Sequence, residues 1–267
     1  MHLEGEVDKT EFKSQATSIY YMRIKALFDI NEFERVIAVT SAQAENIDRE
    51  VTSLVLLSRL MMFNKNQRSI DVAGAMVSQS ATDGEYANLR KFGEIIHTRF
   101  SNDSVINYLY AMILKERPEP GDTRYIFELL IRAIKQAPFN WASWTELASM
   151  DDNTSDEVHA FLKSQDLYPF YRLEKLKRLR KFKQVIIEIN KLGIKGWTYL
   201  DQLEGSCYHE LRDFASAALS FEAITKRDKY SVNGMDEYSN CLFVLERESD
   251  LCQLASHVCF LNFLRVP

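Results

Sequence analysis

Gly205-Ser-Cys-Tyr208-His-Glu-Leu-Arg-Asp-Phe214-Ala-Ser-Ala217-Ala-Leu-Ser-Phe221 is the stretch on which the fold is decided. Apolar residues recur at helical steps on both sides of Leu211-Arg-Asp213, so the segment reads as two helices and a turn. Tyr208, Phe214, Ala217 and Phe221 are separated by 6, 3 and 4 residues. The same steps separate Leu176, Phe182, Val185 and Ile189, and again Leu27, Phe33, Val36 and Thr40. Each set places one residue late in a first helix and three along one face of a second. Two antiparallel helices knit together in this way when the turn between them is too short to let them diverge.

The quoted stretch fits the tetratricopeptide pattern G-x2-Y…A-x3-F. A second match runs from Ala133-x4-Pro138 into Trp144-x2-Leu147-Ala148, with Ala148 where the pattern has glycine. Small residues belong where paired helices approach closely, large ones fill the gap beside them, and proline stops one helix before the next unit. Ala111 is the small residue of an earlier unit, whose turn is lengthened by Arg117-Pro-Glu-Pro-Gly-Asp122. The expectation is therefore an all-α tetratricopeptide (TPR) helical-hairpin solenoid, a right-handed superhelix of about seven repeats and roughly fifteen helices. It is read as one continuous run over 1–267, divergent in 1–100 and clearer in 101–267. A bend is expected near 151–169, where Asp151-Asp-Asn-Thr-Ser155 interrupts the helical period ahead of Pro169.

Composition agrees. Of 267 residues 46% are hydrophobic and 27% charged, which suits a packed chain and not a disordered one. Only 9 glycines and 5 prolines are present, too few for a sandwich or barrel built on many tight turns. A net charge of −5 calls for neither nucleic acid nor an anionic membrane as partner. Cys207, Cys241, Cys252 and Cys259 form no C-x-x-C pair and read as reduced thiols. The first nine residues lack the basic and apolar regions of a signal peptide, and Leu54–Phe63 is too short to span a bilayer. A soluble intracellular chain is expected.

Three segments go further. Ala26–Arg35, Ala137–Leu147 and Met235–Val244 resemble the family of tetratricopeptide subunit eight of the anaphase-promoting complex, also called cell-division-cycle protein twenty-three. Met235-Asp-Glu-Tyr-Ser-Asn-Cys-Leu-Phe-Val244 is similar to the family's MD-x-[FY]-SN-x-L-[FY]-V string, and Pro138–Leu147 to its P-x-x-W-x-x-W-x-E-L string. The likeness runs with gaps from Ser18 to Val266 and is faintest over Asn64–Phe100. The resemblance implies a non-catalytic scaffold of a cell-cycle ubiquitin ligase, nuclear and cytoplasmic, without cofactors, which docks other subunits. It also implies that this stretch corresponds to the family's amino-terminal half. That half homodimerises through its first repeats, and the activator-binding groove lies in the other half.

The residues themselves nominate a dimer surface. Tyr20, Tyr21 and Phe28, with Leu56, Leu57, Leu60, Met61 and Phe63, provide more apolar area than one helix stripe needs. A terminal repeat lacking a polar outer face can be capped by a second copy. No catalytic or metal site is expected. The histidines (His2, His97, His159, His209, His257) have no partner at nucleophile spacing, and Cys252, His257 and Cys259 read as helix-face residues. Gly193-Ile-Lys-Gly196 reads as a helix end, not a phosphate loop. Arg172–Lys183 holds seven bases and one acid, a solvated face or protein contact. Two alternatives remain: an RNA-processing helical-repeat scaffold using Trp141, Trp144 and that basic face, and a protein prenyltransferase alpha-like subunit, suggested by Asn140-x-x-x-Trp144.

Overall fold

The structure, a computed structural model, describes residues 19–41, 48–73, 79–150 and 156–265, and every regular element among them is an α-helix. Helix α1 is described over 19–29. It is followed by α2 (Phe33–Ser41), α3 (Arg49–Ala73), α4 (Gln79–Arg99), α5 (Ser104–Glu116), α6 (Asp122–Gln136) and α7 (Trp141–Ala148). Then come α8 (Asp156–Lys163), α9 (Tyr168–Arg178), α10 (Phe182–Leu192), α11 (Thr198–Glu210), α12 (Phe214–Arg227), α13 (Met235–Val244) and α14 (Glu248–Arg265). The helical-hairpin architecture expected from the spacing is what the chain adopts.

Four hairpins turn in the same way. Asn31, Arg180, Arg212 and Glu246 each take a left-handed backbone, with φ of 61°, 55°, 62° and 55°. In each case the next amide donates back into the first helix: Glu32 to the Leu27 carbonyl (3.0 Å), Lys181 to Leu176 (2.9 Å), Asp213 to Tyr208 (3.0 Å) and Arg247 to Leu242 (3.0 Å). This six-to-one closure satisfies a carbonyl that the helix end would leave bare. Leu27, Leu176 and Tyr208 are the first members of the three spaced sets. The turn thus sets the register of the apolar residues that follow it. Val36, Thr40, Val185, Ile189, Ala217 and Phe221 are all buried between their paired helices. Leu242 heads a fourth hairpin that the spacing alone does not reveal, because Glu248 stands where the other three carry phenylalanine.

The chain divides into two compact units, Met1–Asp152 and Asn153–Pro267. The division falls within the stretch read from sequence as a bend, and residues 151–155 lie outside the described ones. In the first unit, helices from α2 to α7 pack on their neighbours in chain order, and α3 also touches α5. Here α3 serves two clusters. Val51 and Val55 pack with Ile24 and Val36, while Leu56, Leu60 and Phe63 pack with Tyr86, Leu89, Ile106 and Ile113. In the second unit, α9 to α14 again stack in series, with α11 against α13. Leu173, Val185 and Leu203 centre one cluster, and Phe221, Tyr238 and Leu242 the next.

Candidate interaction surfaces

The residues assigned to repeat packing are placed as follows. At Gly205 an added Cβ would lie 2.9 Å from the ring tip of Phe221, so only glycine allows α11 and α12 this approach. Ala111, Ala133, Ala148 and Ala217 are buried, as are Leu147 and Val185. Trp144 is fully buried, and its indole Nε1 donates to the Pro138 carbonyl at 2.8 Å. That bond joins the proline closing one hairpin to the tryptophan opening the next, and it seats Trp144 in the core. Leu27, Phe33, Leu176, Phe182, Tyr208 and Phe214 are half-buried at the rims of their hairpins. One further close approach is absent from the sequence reading: a Cβ at Gly93 in α4 would sit 3.0 Å from the Tyr110 ring.

Polar ties run between successive helices within each unit. Tyr199 on α11 donates to Glu174 on α9 (2.6 Å), and Ser206 on α11 donates to Glu237 on α13. Arg247 in the α13–α14 turn reaches Glu222 on α12 at 2.6 Å. In the first unit the long connection after α5 is held from α4. Arg90 grips Asp122 with two bonds (2.7 and 3.1 Å), Asp122 accepts the Glu119 amide (2.9 Å), and the Tyr86 hydroxyl donates to the Arg117 carbonyl (2.9 Å). The bond from Arg90 holds the Asp122 carboxyl below its usual range. His97 is buried and stacked on Tyr110, with ring centroids 5.0 Å apart, and desolvation lowers its pKa. Burial pushes the thiols of Cys207 and Cys241 up to about 12 and about 11, so they are unreactive core groups. Cys252 and Cys259 are exposed.

The surface nominated for dimerisation splits in two. Leu56, Leu60 and Phe63 are core residues of the first unit, because α3 is covered on two sides by the chain itself. This accounts within one chain for the nearly all-round apolar character of Leu54–Phe63. Tyr20, Tyr21, Phe28 and Leu57 are half-buried, and Met61 is 40% exposed. More exposed apolar groups of this region are Ile19 (68%) and Met22 (60%), one turn apart on α1, and Ile30 (63%) in the turn that follows. The loop Gly193–Gly196 ends α10 with Gly193 left-handed, as read. No group of His, Cys, Asp and Glu among the described residues could hold a metal, and no described helix is long and apolar enough to cross a membrane.

Comparison of the sequence with known proteins finds one family model. The model for anaphase promoting complex subunit 8 / Cdc23 matches residues 3–193. The chain belongs to that family. Subunit 8 of the anaphase-promoting complex from Arabidopsis thaliana is 25% identical over 242 residues, covering 89% of this chain and 41% of the relative. The cell division cycle protein 23 homolog of Homo sapiens is 24% identical over 246 residues, covering 90% and 40%. The Saccharomyces cerevisiae subunit CDC23 is 23% identical over 210 residues, covering 68% and 33%. The chain thus spans about two fifths of the length of the first two relatives. Family membership agrees with the resemblance: Ala26–Arg35 and Ala137–Leu147 lie within the matched residues, and Met235–Val244 lies beyond them.

Proposed function

We propose that this chain is a non-catalytic scaffold arm of the anaphase-promoting complex, which homodimerises through its first repeats and docks other subunits. The observation that carries the reading is the family match over residues 3–193, joined to hairpins that pack in chain order. Such hairpins cannot bury their faces singly, so each fixes the next and the stack presents side chains at set spacings. Its action is geometric: it holds partners at fixed distances. Ile19 and Met22 on α1, with Met61 on α3, are the apolar groups a second copy would cover. In this reading activator binding is expected mainly outside this stretch.

Sedimentation of the purified chain at micromolar concentration tests the dimer. Twice the chain mass is expected, falling to one on Ile19→Glu/Met22→Glu, and a monomeric native chain overturns this part of the reading. Co-purification from cells with a tagged subunit of the complex tests the assembly role. A chain that never travels with the complex overturns that part.

A further inference from the structure

The turn between α9 and α10 is rich in bases, some of them without an ionic partner among the described residues. Of its bases, Arg172 pairs with Glu188 at 3.4 Å and Arg180 with Glu210 at 3.2 Å. Arg178, Lys181 and Lys183 are exposed and form no ion pair among the described residues. Leu179, in their midst, is 56% exposed. The same position is half-buried in the next two hairpins of the unit, as Leu211 and Leu245, and exposed in the α1–α2 hairpin, as Ile30.

The plain alternative is a solvated face whose charges support its own helices. Arg178, at the end of α9, does complement that helix's dipole. Lys181 and Lys183 do the opposite, because they stand at the start of α10, where the dipole repels cations. Several other helices start with acids, as Glu34 on α2, Asp236 and Glu237 on α13, and Glu248 and Asp250 on α14 do. Nor does the turn geometry need bases. Superposed on their left-handed residues, Asp29-Ile-Asn-Glu-Phe-Glu34 and Arg178-Leu-Arg-Lys-Phe-Lys183 keep apolar residues at the same two places and have opposite charge at three. In a chain of net charge −5, a cluster of unpaired cations around a bare leucine is set toward something outside the fold.

We propose that Arg178, Leu179, Lys181 and Lys183 form a docking surface for an acidic peptide segment of a partner protein. That segment carries carboxylates on either side of one aliphatic side chain. Its carboxylates pair with the three free cations and its aliphatic group covers Leu179. The charges set the encounter rate and the leucine the register. This deepens the docking role proposed above and rests on it.

The test uses the purified chain and a fluorescent synthetic peptide of Glu and Asp residues flanking a single Leu, read by anisotropy at low and moderate salt. Saturable binding is expected, weakening with salt. Arg178→Glu/Lys181→Glu/Lys183→Glu should weaken it at least about tenfold, and Leu179→Ser, or Ser for Leu in the peptide, about threefold to tenfold. Unchanged helical content of the variants shows that they fold. Equal binding by the native chain and the triple variant overturns the proposal. Tighter binding of a single-stranded RNA oligomer overturns it too, as does a change in sedimenting mass on triple reversal. Should the chain sediment as a dimer while charge reversal leaves peptide binding untouched, this inference falls and the scaffold reading stands.

Discussion

Two helical hairpins, α11–α12 and α5–α6, solve one problem with different chemistry. The first closes through three turn residues, with Arg212 left-handed and Asp213 accepting the Ser216 amide at 3.2 Å. Its rigidity comes from apolar register, since Gly205 seats the Phe221 ring and Ala217 fills beside it. The second spends Arg117–Gly121 on its connection, and that length is tamed by a carboxylate and a guanidinium. A tight turn lets packing alone fix two helices. A long one has backbone to restrain, and directional polar bonds supply the restraint.

The contrast can be broken most strongly in the apolar hairpin. Phe221→Ala should cost about 3–5 kcal/mol, because the ring is fully buried and two glycine backbones cannot move in to fill the space. Hydrogen exchange of the α11 and α12 amides, with α5 and α6 as internal reference, checks it. Arg90→Ala should cost about 2–3 kcal/mol and loosen Arg117–Asp122 first, seen as earlier proteolysis there, with α11–α12 unaffected. The same bond has a pH signature. The Asp122 carboxyl is lowered in the folded chain, so its contribution is complete above the unfolded value of 3.8 and is lost as pH falls through the lower folded value. Arg90→Ala should therefore flatten the acid limb of a denaturation series.

Smaller effects sharpen the contrast. Arg212→Gly should raise stability by about 1 kcal/mol, since an L side chain at φ 62° is strained and glycine is not. His97 adds a milder term. Its folded pKa lies below 6.5, so stability is full above pH 6.5 and declines as pH falls toward the folded value. His97→Phe should remove that decline, measured as the denaturation midpoint between pH 7 and pH 5.

How legible these regions were in sequence follows from the same chemistry. The α11–α12 hairpin is written in side-chain size, and size survives in a one-dimensional pattern: Gly205, Tyr208, Ala217 and Phe221 can be read in order. Trp144 and Pro138 were legible for the same reason, though not the bond from indole to carbonyl that explains their pairing. The α13–α14 hairpin escaped because Glu248 replaces the aromatic residue, while the backbone turn at Glu246 leaves no signature in residue type. Arg90 and Asp122 escaped because an ion pair 32 residues apart has no periodicity. Leu56, Leu60 and Phe63 misled for a different reason. A helix wedged between two clusters and a helix awaiting a second copy have the same apolar pattern, and only the positions of α2, α4 and α5 tell them apart.

Phe221 meets glycine twice, since a Cβ at Gly234, in the loop before α13, would lie 2.8 Å from its ring, as one at Gly205 would from α11. Three positions in separate elements therefore share a single volume. A lineage that enlarges either glycine must shrink the ring in the same stroke, and one that shrinks the ring frees Gly205, whereas the left-handed backbone of Gly234 (φ 75°) still favours glycine. Substitutions at 205 and 221 should travel together through descent, with 234 staying glycine.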